Sequence, residues 1–492
     1  MKFFSYKFSF FLMCFFSPIY SFGTGETSQE LIVRRVYDSE NHLTEVLYPD
    51  GKKVEYVFDE KGNRIQMNDW TGSTHYTYDG SNRLSRVQIP NIGIISYSYD
   101  TQGNIQKVLY PSRYKILYEY TENNLLQSVI DSSGKTFFFY DPASHLLTKT
   151  VSSNGVSSEY IYNGNRLSGI AHKKSDGSLI VDLRYEFDNG KMVQETITTP
   201  SSTLTKKHVY NSANQLKKVE YSNGFFEKYF YNAKGFCSSK TTPSQKTVFK
   251  YDSRDRLKKA GETEFSYDEN DNLIKKVSPG KIIEYSYDIE NHLIQYRDNE
   301  NTVVFTYNGD GCRIGKTVNG SKTFFAEDTL SPIPEVMIKV AERKDFLGKL
   351  YRFFIGEEQK KFTYFTYGKD RINRLEDDNS FVYLYDQNKN VIALVDAFEK
   401  VNNLYLYDSS GNVIEKGAEF VEDFSYTAKQ YDAETGLIYT GNNYFDPQDG
   451  IYLVGGEHVQ PIVPAPEAPP VITVTKPTET PPVVAQVEPV IP

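Results

Sequence analysis

The chain is poor in the residues that build compact catalytic or metal centres. Its 492 residues include seven His, five Met, three Cys and a single Trp. No CxxC occurs, so a zinc knuckle or a thioredoxin-like redox site is not supported. There is no HExxH, no GxSxG and no phosphate-cradling glycine loop. The Asp residues lack the alternating ligand spacing of an EF-hand loop. Net charge is −9 with the basic residues spread along the chain, which gives no nucleic-acid footprint. Beyond the first 23 residues no stretch approaches the ~20 apolar residues that a membrane helix needs. The chain is therefore expected to hold no cofactor and no metal, and no residue is assigned a catalytic, cofactor-binding or metal-ligating role.

Residues 1–23 read as a signal peptide: Lys2 and Lys7 precede an apolar core from Phe8 to Phe16, and small residues lead to a cut after Gly23. Cys14 is no lipidation site on this reading, because Phe11-Leu12-Met13 supplies no small residues before it. The mature chain keeps Cys237 and Cys312. Export makes a disulfide chemically feasible, and two unlinked thiols in separate repeats are the alternative. The expected location is secreted or cell-surface, with the periplasm as a further compartment.

What the chain has in abundance is aromatic residues, 39 Tyr and 32 Phe. They are spaced. An aromatic residue before Asp, Asn or Thr recurs about every 20 residues, at Tyr37, Phe58, Tyr78, Tyr99, Tyr120, Tyr140 and Tyr162, and onward to Tyr287 and Tyr307. A fixed period of this size marks a repeat architecture. Each unit reads as a β-hairpin. Lys52 to Phe58 alternates small or charged with large side chains, a half-buried strand. Asp59-Glu60-Lys61-Gly62-Asn63 supplies turn chemistry, and Arg64-Ile65-Gln66-Met67 returns. Tyrosines at i and i+2 share a face and can ladder between hairpins. A hairpin alone is marginal, so the array must be continuous, and a long twisted sheet coils to hide its edges. His42, His145 and His292 each precede the Leu of a return strand, a position also filled by Arg83, Arg166 and Arg256. They are turn-exit residues on this reading.

The motifs carrying this period resemble the YD-repeat, or Rhs, family of bacterial proteins, with its teneurin-like shell, over about residues 31 to 453. Tyr307-Asn308-Gly309-Asp310-Gly311-Cys312-Arg313-Ile314 is similar to the entry of the Rhs repeat-associated core. Tyr431-Asp432-Ala433-Glu434-Thr435-Gly436-Leu437-Ile438-Tyr439 and Asn443-Tyr444-Phe445-Asp446-Pro447 give the closest match. The resemblance implies an all-β fold of tandem hairpins wound into a spiral, barrel- or shell-like sheet. In toxin members that shell encloses a C-terminal effector released by an Asp-dependent self-cleavage. Here Gly450-Ile451-Tyr452-Leu453 is followed by Val454-Gly455-Gly456-Glu457 and a tail, so the positions matching the catalytic aspartates are absent and none is carried over.

Four segments follow: signal peptide 1–23, YD repeats 31–304, an Rhs-core-like region 305–453, and a disordered Pro/Val-rich tail 454–492. Residues 461 to 492 hold 10 of the 21 prolines, and no aromatic follows Tyr452. Arg343 to Lys361 interrupts the repeat as an insertion or a partner patch. About 36 strands at about 4.8 Å each give some ~170 Å of sheet contour, enough for a small, largely packed shell or for an incomplete one that needs a partner. The first is favoured. The functional expectation is a non-enzymatic structural or binding shell whose partner is carbohydrate or a cell-surface protein. A component or remnant of an Rhs-type toxin system, with other Rhs or toxin proteins as partners, is the alternative; an autoprotease is the weakest reading.

Overall fold

The computed structural model of the protein describes residues 32–328, 330, 335–342, 360–409, 411–416 and 423–458. The signal segment, most of the 343–361 interruption and the tail from residue 459 lie outside them. The described residues are nearly all β, with forty strands from β1 (Arg34–Tyr37) to β40 (Ile451–Tyr452) and two single-turn 3-10 segments. Every strand from β1 to β36 (Val413–Lys416) pairs with the next in sequence, giving one continuous thirty-six-stranded sheet. All of these pairings are antiparallel, as in β5 (Gly72–Tyr78) with β6 (Leu84–Ile89). A separate four-stranded sheet runs from β37 (Gln430–Asp432) to β40.

The turn chemistry of the sequence sets the hairpin. Asp59 Oδ1 accepts the backbone N–H of Lys61 and of Asn63, both at 2.9 Å, and Gly62 takes a left-handed φ of 79°. Such a φ is costly for a side chain with a Cβ, and Gly or Asn meets it repeatedly along the array. A bulge accompanies each turn of this kind, though not the turns that join one hairpin to the next. Tyr78 faces Leu84 while Thr77 faces Arg86, so Ser85 is left over.

The bulge explains why the repeated aromatic is tyrosine. The carbonyl of the residue opposite it takes the hydroxyl of the next repeat's tyrosine: Tyr78 donates to Arg64 at 3.0 Å, Tyr99 to Leu84 at 2.6 Å, Tyr120 to Ile105 at 2.9 Å and Tyr140 to Leu126 at 2.8 Å. The same bond continues to Tyr307, on Leu293, and to Tyr407, on Val391. Each is a neighbour-to-neighbour tie contributing about 0.5–1.5 kcal/mol. Phenylalanine at positions 58 and 187 cannot make it; those rings keep only the cover from His42 and Arg166.

The sheet coils inward and does not close as a barrel. Tyr114 and Thr366 hydroxyls meet at 2.9 Å across 252 residues, His172 Nε2 and the Tyr385 carbonyl at 3.0 Å across 213, and Lys240 and Asp408 at 3.2 Å across 168. A circuit that shortens as the chain proceeds describes a spiral. Its later strands lie against the inward face of the earlier wall. One core joins Val54, Val87 and Ile116 of the wall to Ile338 and Tyr364. Another joins Val181 and Leu183 to Val382, Ala393 and Val395.

Two sequence expectations change in detail, and a third is placed. His145 is not a turn-exit residue: its loop is one residue longer, Asp141 N–H bonds to the Leu146 carbonyl, and His145 itself takes the left-handed φ of 58°. The fold continues past Leu453, with Gly455 N–H on the Asp271 carbonyl and His458 Nδ1 2.7 Å from the Tyr251 hydroxyl. The 343–359 segment joins two neighbouring strands, β30 (Val336–Glu342) and β31 (Lys360–Tyr367), whose ends Glu342 and Lys360 are register partners.

Candidate functional site

The seam between the outer wall and the inner strands gathers the buried charge of the molecule. Strand alternation places some lysines inward, where the inner strands bring carboxylates to meet them. In β16 (Lys191–Thr198) and β17 (Thr203–Tyr210), Glu195 and Lys206 pair at 2.8 Å, and Lys206 also donates to the Tyr407 carbonyl at 3.3 Å. They line a pocket with His208, Asp386 and Asp408. Burial lowers the His208 pKa to about 4, so its imidazole is neutral near pH 7. Burial raises Asp386 to about 7, although its carboxylate accepts from Asn388 N–H at 2.8 Å and from Asn390 N–H at 2.9 Å.

Beside the pocket, Glu227 of β19 (Phe226–Tyr231) is fully buried. It accepts from the hydroxyls of Tyr221, Tyr229 and Ser409 at 2.9, 2.8 and 3.1 Å and pairs with Lys240 at 2.6 Å. Further on, Lys276 of β24 (Leu273–Ser278) reaches Asp446 at 2.8 Å and also contacts Asp449. Burial, with Asp446 beside it, raises Asp449 to about 6.

The deepest centre is Arg313, the first residue of β28 (Arg313–Val318) and 0% exposed. Its guanidinium lies 2.5 Å from Asp432, 3.1 Å from the Tyr444 hydroxyl and 4.2 Å over the Tyr439 ring. Lys316 adds a second cation on Asp432 at 2.7 Å. Burial disfavours the Asp432 carboxylate, yet Arg313 and Lys316 overcome it and hold its pKa below the usual range. Pairs this dry are not net stabilisers against an apolar alternative, but removing one partner strands a buried charge.

Chemically these centres fasten. Their carboxylates are engaged by cations, hydroxyls or backbone N–H groups, and none is aligned with a nucleophile and a base in a site open to a substrate. Among the described residues no group of three or more His, Cys, Asp or Glu is placed to hold a metal ion. None of their helices is long and apolar enough to cross a membrane. Cys237 and Cys312 are thiols in this structure, and burial raises each to about 12. His42 and His292, read as turn-exit residues, bond Asp38 and Asp288 and stack on Phe58 and Tyr307 at 4.7 and 4.8 Å.

Sequence reasoning missed the seam, although a signal was present. Arg313 stands opposite Tyr307 where Leu84, Leu273 and Leu293 stand opposite theirs. An arginine in a leucine slot marks a buried partner elsewhere in the chain. That partner, Asp432, comes from a motif more than a hundred residues away.

Comparison with known proteins places this architecture. The family model described as teneurin YD-shell matches residues 24–189 and 145–329. The tRNA3(Ser)-specific nuclease WapA of Bacillus spizizenii is 30% identical over 256 residues, which is 50% of this chain and 10% of that protein. The tRNA nuclease WapA of Bacillus subtilis is 30% identical over 257 residues, again 50% and 10%. This chain thus spans about a tenth of the length of these relatives. Among solved structures, TcdB2-TccC3-Cdc42 superposes with a TM-score of 0.53 at 15% identity, covering 86% of this chain and 28% of that one. The Tc holotoxin pore of Photorhabdus luminescens superposes at 0.54 with 14% identity, covering 92% and 30%. These structural likenesses establish the fold.

Proposed function

The chain belongs to the teneurin YD-shell family, and we propose that it is an exported, non-enzymatic shell that works as a structural or binding module for carbohydrate or a cell-surface protein. One observation carries the reading: the inward face of the wall is covered by the chain's own later strands, fastened by the buried centres at Glu227, Lys276 and Arg313. A wall lined in this way offers its outward face to partners. Export rests on the signal-like residues 1–23. Intact-mass analysis of the protein purified from the producing cells tests the proposal. A single species beginning near Thr24 is expected; a second cut near residue 450 overturns the non-enzymatic reading in favour of an autoprotease.

The likeness to WapA and Tc shells supports a second reading, a component of an Rhs-type toxin system. Its test is pull-down with the products of adjacent genes, where a stoichiometric toxin or immunity partner would establish it.

A further inference from the structure

Lys276 differs from the other seam lysines in the carboxyls set against it. At Lys240, the lysine itself and the hydroxyls of Tyr221 and Tyr229 hold Glu227 ionised against the cost of burial. At Lys316, Arg313 does the same for Asp432. A carboxylate pinned in this way resists attack by an amine and is a poor acceptor for the amine's proton. At Lys276 the two roles are divided. Asp446 Oδ2 accepts from Nζ at 2.8 Å and its Oδ1 accepts from Gln448 N–H at 2.9 Å, so this carboxylate is fixed in place beside the amine. Asp449 also touches Nζ, yet its Oδ2 is buried and takes no hydrogen bond among the described residues. Burial and the neighbouring Asp446 raise the Asp449 pKa to about 6, so it takes a proton far more readily than an ordinary Asp.

The turn after β39 (Tyr444–Asp446) makes this arrangement. Gly450 N–H closes it on the Asp446 carbonyl at 2.8 Å, with Gly450 at a left-handed φ of 67°. Two acids of one turn thus meet one amine. Leu273 N–H on the Leu453 carbonyl at 2.8 Å holds the turn against the start of β24. Lys276 is 3% exposed, and its partners across the sheet, Phe265 and Ile283, are buried with it. Both belong to an apolar cluster with Tyr285 and Leu453, and the Tyr285 hydroxyl has no hydrogen-bond partner among the described residues. Charges held in so dry a place carry a desolvation penalty that their attraction only partly offsets.

We propose that Lys276 and Asp449 form an intramolecular amide bond, made by the folded chain itself, that joins the wall covalently to the terminal sheet. It rests on the shell reading above, in which this centre fastens the inner end of the coil. Burial disfavours the Lys276 cation, but the two carboxylates hold it charged, so proton transfer inside the triad comes first. Nζ passes one proton to the Asp446 carboxylate, and the freed lone pair attacks Cγ of the protonated Asp449. The bond from Cγ to the hydroxyl then breaks, and the hydroxyl leaves as water with a second amine proton relayed through Asp446. The products are a neutral secondary amide, one water and a protonated Asp446. The triad is neutral before and after, and no oxidant or outside reagent enters. Contact in the folded chain supplies the effective concentration, and the loss of both buried charges removes their desolvation penalty. Asp446 lies 170 residues along the chain from Lys276, so the bond closes a loop that contains the inner strands from β30 to β36. The coil cannot unwind fully while it stands.

Mass spectrometry of the full chain purified from the producing cells tests this. The native chain is expected to be lighter by about 18 Da, one water, than its sequence from the measured N-terminus requires. Trypsin should release a branched peptide that joins the segment beginning at Lys276 to the one beginning at Gln430, with Lys276 linked to Asp449. Asp449→Ala and Lys276→Arg should both restore the full mass. Lys276→Arg keeps the buried cation, and unchanged near-UV circular dichroism confirms its fold. Asp446→Ala should lower the cross-linked fraction at least tenfold. The Asp449-Gly450 step can lose the same water by closing on its own backbone, but that loss persists in Lys276→Arg and gives no branched peptide. Full mass in the native chain, a water loss that survives Lys276→Arg, or undiminished cross-linking in Asp446→Ala would each overturn the assignment. A cut near residue 450, which overturns the shell reading, appears as separate backbone ends and not as a lost water, so the two failures are distinct.

Discussion

The wall and the inner strands are built from one hairpin yet bury it differently. In β25 (Lys281–Tyr287) of the wall, buried Ile283 and Tyr285 alternate with exposed neighbours. In β34 (Val391–Asp396), all five residues from Val391 to Val395 are buried. The wall faces water on one side, whereas the inner strands have protein on both and read as a continuous apolar run. The repeat therefore specifies the hairpin, and the two-sided burial comes from where the coil places it. The inner half should be the more fragile of the two.

The largest effect expected is at the deepest ion pair. Asp432→Ala leaves Arg313 buried without its counter-charge and should cost about 3–5 kcal/mol, read as a drop in urea midpoint. Removing an outward pair of the wall, as in Glu55→Gln beside Lys53 on the same strand, should change stability by less than about 1 kcal/mol. Comparable losses at the two sites would mean that the inner strands are not the dry region described above. Next in size, Leu394→Ala, at 1% exposure, should cost about 2–5 kcal/mol. Val304→Thr, on the outward face of the wall and 38% exposed, should stay within about 0.5 kcal/mol.

Much of the wall was legible in the sequence, and the reason is local. Period, strand alternation and Asp-Gly-Asn turns act over a few residues, so Lys52 to Met67 could be read as a hairpin without knowing its neighbours. The inner strands were harder, because two-sided burial depends on contacts such as His172 with Tyr385, more than two hundred residues apart. Apart from the arginine at 313, the seam was hidden for the same reason: Lys206 and Lys276 look like ordinary strand lysines until the coil sets a carbonyl or carboxylate against them. The ladder of tyrosine hydroxyls lay between these cases. The preference for Tyr over Phe was on view, but its acceptor is created by a bulge that no spacing announces.

That ladder offers a finer comparison of the two regions. Tyr120→Phe frees a carbonyl at Ile105 on the half-buried wall, which water can reach, and should cost about 1 kcal/mol. Tyr407→Phe frees the Val391 carbonyl where both residues are buried, and should cost more, up to about 3 kcal/mol. Equal costs, measured by chemical denaturation of the two variants, would show that water reaches the inner carbonyl as readily as the outer one.

The last effect expected is a change of stability with pH. His172 is buried between wall and inner strand, with Ser158 Oγ 2.7 Å from Nδ1 and the Tyr385 carbonyl 3.0 Å from Nε2. Burial lowers its pKa from 6.5 to about 4. The unfolded chain therefore takes up a proton between those values that the folded chain refuses, so this residue's contribution to stability is present above pH 6.5 and is lost as pH falls to about 4. Asp386 has the opposite sign. Its folded carboxyl, raised to about 7, keeps a proton that the unfolded chain releases, so it favours the fold as pH falls from 7 toward 4. The two trends oppose each other in the native chain, and only a difference separates them. His172→Gln should flatten the acid loss by about one proton relative to the native chain, seen as a smaller change in urea midpoint between pH 7 and pH 4.5. If His172→Gln and the native chain track each other across that range, water reaches this histidine and the inner strands do not seal the wall at that point.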